Sequence, residues 1–177
     1  WKQIKQDYDM DLQPWRDNGN HILICLQRNG GWSMGETNVM QWCNYTIKRL
    51  RKFTDRPIVV RAHPGDRRAK EYLKIHWPNV IVSKNPNIMQ DFINCWAVVT
   101  FNSSPGVAAA IEGIPVFVTD PTPQTSQAFD VANTDLKKIE QPVMPDRIDW
   151  INKLAMCHFN FKDLKQGTAW NIIKDYL

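Results

Sequence analysis

Apolar positions along the chain follow two alternating rhythms. Short, almost unbroken apolar runs occur at His21–Leu26, Pro57–Ala62, Val80–Val82, Trp96–Phe101 and Ile114–Thr119. Runs without a polar alternate are the signature of strands buried on both faces. Between them the spacing changes to threes and fours. Asn38–Thr54 carries Val39, Trp42, Cys43, Ile47 and Leu50 at helical intervals. Its Lys48, Arg49, Arg51 and Lys52 suit the negative end of a helix dipole. Arg67–Trp77 reads as a helix with Tyr72, Leu73 and Ile75 inward, and Ile88–Cys95 as a short helix. Val107–Glu112 reads as a small-residue helix that Gly113 ends. A loop rich in Pro, Thr and Gln follows to about Val131. Pro145–Phe159 is amphipathic, with Ile148, Ile151, Leu154 and Ala155 on one side, and a last helical stretch carries Trp170, Ile173 and Leu177.

Strand–helix alternation at this spacing implies an α/β fold, with a parallel sheet, right-handed crossovers and helices on both faces. The expected architecture is a single Rossmann-like three-layer domain over residues 21–177. It has a mostly parallel sheet of about five strands in the order 3-2-1-4-5, plus C-terminal helices. Residues 1–20 are polar, end in the turn cluster Asp17-Asn18-Gly19-Asn20, and read as an N-terminal arm with at most a short helix. Ligands of such sheets sit beyond the carboxyl ends of the strands where the order reverses, here between the first and fourth strands.

Composition narrows the class. With 177 residues, 43% hydrophobic and 23% charged, the chain is an ordinary globular sequence rather than a disordered one. The net charge of +4 is dispersed, which permits an anionic ligand and does not point to nucleic acid. No apolar run has the length of a membrane span, and Trp1–Met10 lacks a basic-then-apolar leader, so a cytoplasmic location is expected. Cys25, Cys43, Cys95 and Cys157 are too far apart for a zinc knuckle or a redox pair and read as reduced core thiols. Most of the eight tryptophans are expected to be core or hinge anchors. Trp32 stands apart in a glycine-bearing loop, either stacking on a base or plugging the loop.

Three polar loops converge on the switch point in this topology: Gln27–Ser33, His63–Asp66 and Asn102–Gly106. The last puts Ser103, Ser104 and the backbone N–H groups up to Gly106 at a helix N-terminus, where unpaired donors and the helix dipole attract phosphate. Ala108, Ala109 and Ala110 let that helix lie close to the sheet. His63 projects at a strand end before Pro64, and Arg61, two residues earlier, adds a charge on the same side. Gly30 and Gly31 allow a close backbone approach to a ligand, with Gln27 beside them. Glu36, Asp66, Glu112 and Asp120 lie near loop or strand ends and read as solvated carboxylates. Neither G-x-G-x-x-G nor G-x-x-x-x-G-K-[ST] is present, and no cluster suggests a metal.

Ile58-Val59-Val60-Arg61-Ala62-His63-Pro64, then Val98-Val99-Thr100-Phe101-Asn102-Ser103-Ser104-Pro105-Gly106, then Glu112-Gly113-Ile114-Pro115-Val116, resembles the nucleotide-binding half of GT-B glycosyltransferases. The likeness is to the capsule polysaccharide synthesis type and to transferases of CMP- or CDP-activated donors. It implies that His63 and Ser103 or Ser104 contact the phosphate of a nucleotide-sugar donor, without a metal or other cofactor. It also implies that a second, N-terminal half supplies a saccharide acceptor site. Many relatives carry a Glu five residues before the Gly of G-x-P-V to hold the ribose, where this chain has Ala108, so Glu112 or another group would take that role. The competing expectations are a non-catalytic binding or assembly module and a nucleotide-sugar epimerase-like half.

Overall fold

Strand β1 (His21–Cys25) lies at the middle of a five-stranded sheet, between β2 (Ile58–Arg61) and β4 (Cys95–Thr100). The outer positions belong to β3 (Val80–Val82), beside β2, and β5 (Val116–Val118), beside β4. Every pairing is parallel, and the order is β3-β2-β1-β4-β5, as the apolar runs implied. The structure, a computed structural model, describes residues 1–69 and 73–174. The register sets Ile22 beside Ile58 and Leu23 beside both Val59 and Val98, with Val116 next outward. A bulge between His21 and Ile22 shifts the pairing with β4.

The central strands are apolar throughout because both faces are covered. On one face, Ile22, Ile24, Ile58, Val60, Ala97, Val99 and Phe117 share a core with Val39, Trp42, Cys43, Ile47 and Leu50 of helix α2 (Val39–Leu50). Asn38 caps that helix by accepting from the N–H groups of Met40 and Gln41. On the other face lies helix α4 (Pro105–Ile111), with Ala109 and Ala110 fully buried. A Cβ on Gly106 would meet Val116 Cγ1 at 3.2 Å, so glycine lets the first turn of α4 sit this close to β5 without displacing that side chain. The helix begins at Pro105, earlier than expected, because proline is well placed in a first turn. Between β3 and β4 lies the short helix α3 (Ile88–Asp91).

The expected helix over Arg67–Trp77 has its middle, Lys70–Tyr72, and hence the inward Tyr72, outside the described residues. Residues 74–77 have no regular secondary structure. The loop after β5 holds three short 3-10 turns, at Pro123–Thr125, Phe129–Val131 and Leu136–Lys138. Asn133 extends the sheet by one parallel bridge to Phe117.

The chain divides into two units: residues 12–145, which carry the whole sheet, and a unit formed by residues 1–11 with the chain from 146 onward. The 1–20 stretch is therefore shared between them. Residues 12–20 are stitched to the sheet unit: Gln13 N–H donates to Ile111 O, Arg16 N–H to Gly113 O, and Asn20 N–H to Asn94 O. The other unit contains α1 (Lys2–Tyr8), α5 (Ile148–Met156), α6 (Phe161–Lys165) and α7 (Thr168–Ile173). Helix α5 buries Trp150 and Ile151, while Ile148, expected on the inward side, is half exposed. Trp170 and Ile173 are also exposed, and Leu177 lies outside the described residues.

Cys25, Cys43 and Cys95 are buried free thiols, as expected. Cys157 is exposed, contrary to expectation, because it caps the C-terminal end of α5 and not its buried side.

Candidate functional site

An open cleft of about 1440 Å³ lies at the carboxyl ends of the strands. Its walls come from the segments after β1 (25–28 and 32–37), β2 (61–64), β4 (101–105) and β5 (120–127), with residues 86–88 at one side. The loops expected to converge at the switch point thus share one cavity. His63, Ser103, Ser104, Gln27, Trp32 and Arg61 all line it.

Gln27 holds two of these walls together. It is 5% exposed, its Oε1 accepts the Asn102 N–H at 3.0 Å, and its Nε2 donates to Ser33 Oγ at 2.9 Å. A glutamine engaged at both ends is a brace and not a free ligand contact. Asn102 continues the network: its Nδ2 donates to Asp120 Oδ2 at 2.6 Å, to Thr125 Oγ1 at 3.1 Å and to Ser33 O at 3.2 Å. Asp120 also accepts from Thr125 Oγ1 and from the Thr122 N–H. It is therefore a hydrogen-bonded hub at the end of β5 and not the solvated carboxylate expected. The signal available was positional. Asn102 and Asp120 each follow one of two adjacent strands, but their pairing depends on the β4–β5 register.

The His63 turn is held by its own side chain. The Gly65 N–H donates to His63 Nδ1 at 3.0 Å, and the Asp66 N–H to His63 O at 2.9 Å. With Nδ1 accepting, the proton of the neutral ring sits on Nε2. A Cβ on Gly65 would stand 3.1 Å from the ring. Asp66 is also engaged: its carboxylate accepts from Asn29 N–H, which ties the β1 loop to the β2 loop, and from Arg68 N–H.

The serine loop offers fewer donors than its sequence suggests. The Gly106 N–H already donates to Ser103 O at 3.0 Å and the Val107 N–H to Ser104 O at 2.9 Å. Pro105 has no N–H. Among the described residues, the backbone N–H groups of Ser103 and Ser104 have no intramolecular partner. Ser103 Oγ is buried and unpartnered, as is Thr100 Oγ1 beneath it in sequence. Ser104 is exposed at the loop's tip.

Several expected residues do other work. Arg61 is turned away from a free role: Nη1 donates to Asp91 Oδ2 at 2.5 Å and Asn85 O at 2.9 Å, and Nη2 donates to Pro86 O at 3.1 Å. Its charge is matched by a buried carboxylate that also accepts from Ser83 and Asn85. Gly106, in the first turn of α4, packs against Val116 of β5 and does not line the cleft. Gly30 and Gly31 form the turn before Trp32, outside the lining, with Gly30 at φ +72° and the Gly31 N–H bonded to Arg28 O. Glu112 sits at the far end of α4. That helix runs back against the strands, which places its C-terminus at the end of the strands away from the cleft. There Glu112 faces Arg16 Nη2 at 3.5 Å. Glu36 lines the cleft as an exposed carboxylate, as expected, and Trp32 is exposed at the rim and plugs nothing.

Among the described residues, no group of three or more His, Cys, Asp or Glu is placed to hold a metal ion. No helix there is long and apolar enough to cross a membrane. What the cleft can do chemically is donate hydrogen bonds, from the His63 ring, the Ser103–Ser104 amides and hydroxyls and the exposed Arg28, to one anionic or strongly accepting group. No family model matches the chain, and no curated protein matches it.

Proposed function

We propose that the sheet unit binds the phosphate of a nucleotide-activated sugar, as one half of a metal-independent glycosyltransferase of GT-B type. The observation that carries this reading is the meeting of the His63 turn and the Ser103–Ser104 loop on one cleft at the switch point. Unpaired N–H groups aimed into such a crevice are suited to phosphate oxygens. In glycosyl transfer, charge grows on the leaving phosphate. Donors already in place would stabilise it without reorganisation. Arg61 is left out of this role because Asp91 already neutralises it. A saccharide acceptor and its catalytic base would come from a second half of the enzyme.

A second reading has one observation in its favour. Ala108 stands where the resembling family carries a ribose-binding Glu, and Glu112 lies at the wrong end of α4 to replace it. A binding or assembly module without turnover fits that loss. Thermal-shift titration with CMP, CDP, UDP and GDP tests binding. A nucleotide at a hundred times its Kd adds about 2.7 kcal/mol to stability and raises Tm by several degrees. His63→Ala and Ser104→Ala are expected to remove most of that shift. Shifts unchanged in both variants would overturn the assignment. Sugar transfer to an acceptor, seen only when a second half is supplied, separates the transferase from the module.

A further inference from the structure

Trp32 is 95% exposed, on the rim of the same cleft. Full exposure of an indole is costly, since a tryptophan ordinarily buries much of its large apolar surface. The exposure does not come from a loose loop. Trp32 opens a 3-10 turn, Trp32–Met34, whose next residue, Ser33, is held through its Oγ by Gln27 and through its carbonyl by Asn102. Met34, one residue further, is buried in the core. The Gly35 N–H closes the turn on Trp32 O at 3.0 Å. The backbone under Trp32 is thus anchored on its C-terminal side while its ring has no ring partner or hydrogen bond among the described residues.

The geometry points to Trp32 as the platform on which the planar base of a nucleotide stacks, an affinity element of the site described above. The inference rests on the phosphate reading of His63 and the serine loop. The cleft is larger than a phosphate or a sugar phosphate fills, which leaves room for a base beside the anchored phosphate. A ring system covers a whole indole face, whereas a pyranose covers it with C–H groups alone. Stacking of this kind is tolerant of base identity.

The test uses equilibrium binding of three probe classes to the full chain: nucleosides, ribose 5-phosphate and nucleoside 5′-monophosphates. Trp32→Ala is expected to weaken nucleosides and monophosphates about ten-fold or more and to leave ribose 5-phosphate unchanged. Trp32→Phe is expected to retain most of the affinity. Quenching of tryptophan emission by the monophosphate should be smaller in Trp32→Phe than in the parent, despite the other seven tryptophans. Because the side chain is exposed, both variants should keep the parent's Tm. Equal weakening of ribose 5-phosphate and monophosphate, or no weakening of either nucleoside or monophosphate by Trp32→Ala, would overturn stacking. The phosphate reading fails separately, if monophosphates bind no better than nucleosides and His63→Ala changes neither. Absence of binding by every probe overturns both.

Discussion

The side-chain carbonyl of Gln27, just beyond β1, accepts the backbone N–H of Asn102, just beyond β4, at 3.0 Å. These two strands flank the point where the sheet order reverses, so the bond spans the floor of the cleft. Gln27→Leu keeps the volume and removes both of its bonds. A buried donor left unpaired costs about 1–3 kcal/mol. Urea denaturation should show a loss of that size, and Gln27→Glu should keep the Asn102 contact while losing the Nε2 donation to Ser33 Oγ. An unchanged midpoint for Gln27→Leu would mean that the two loops are held by Asn102 and Asp120 alone.

Arg61 is expected to matter for stability rather than for ligand affinity. Its side chain is 12% exposed and that of Asp91 2% exposed. Breaking a buried pair from one side costs about 3–5 kcal/mol, because an uncompensated charge stays behind. Arg61→Met should therefore destabilise strongly, and Arg61→Met with Asp91→Leu should recover part of the loss. A stable Arg61→Met variant with weakened phosphate binding would reverse the assignment.

Gly113 and Gly30 separate two reasons for glycine. Both have positive φ, +75° and +72°. A Cβ on Gly113 would stand 1.9 Å from Pro14 O, while one on Gly30 would meet nothing within 4 Å. Gly30→Ala should cost only the left-handed backbone penalty, about 1–2 kcal/mol. Gly113→Ala adds a clash with the main chain that ties residues 12–16 to α4, and should cost at least about 2 kcal/mol more. Equal effects in thermal unfolding would show that the 12–16 segment moves aside freely.

The cysteines set an alkaline limit. Burial pushes the Cys43 and Cys95 thiols up from the ordinary value of 9.0 to about 12, and that of Cys25 higher still. The folded state keeps these protons where the unfolded chain releases them. Their contribution is thus complete below pH 9 and is lost as pH rises from 9 toward 12, by up to about 1.4 kcal/mol per pH unit for each thiol. Cys43→Ala should flatten that slope in unfolding measured across this range. A thiol-reactive dye should modify one cysteine, Cys157, in the native chain and four after denaturation. Fast native labelling of more than one would contradict the packing.

The strand runs, their parallel pairing and the 3-2-1-4-5 order were legible in the residues, because a strand buried on both faces has no polar alternate and crossover handedness leaves few arrangements. The switch point followed, and with it the meeting of His63 with Ser103 and Ser104. Side-chain commitments were not legible. Arg61 and Asp91 are 30 residues apart, and nothing local in either says that each neutralises the other. Glu112 was close to the serine loop in sequence, yet a helix of seven residues carries it to the other end of the sheet. Gln27, Asn102 and Asp120 become one network only once β1, β4 and β5 lie side by side. Hydrophobic periodicity is a local property written into neighbouring residues, so the chain alone determines its layers. A polar side chain has several partners within its chemistry, and the packed backbone selects among them.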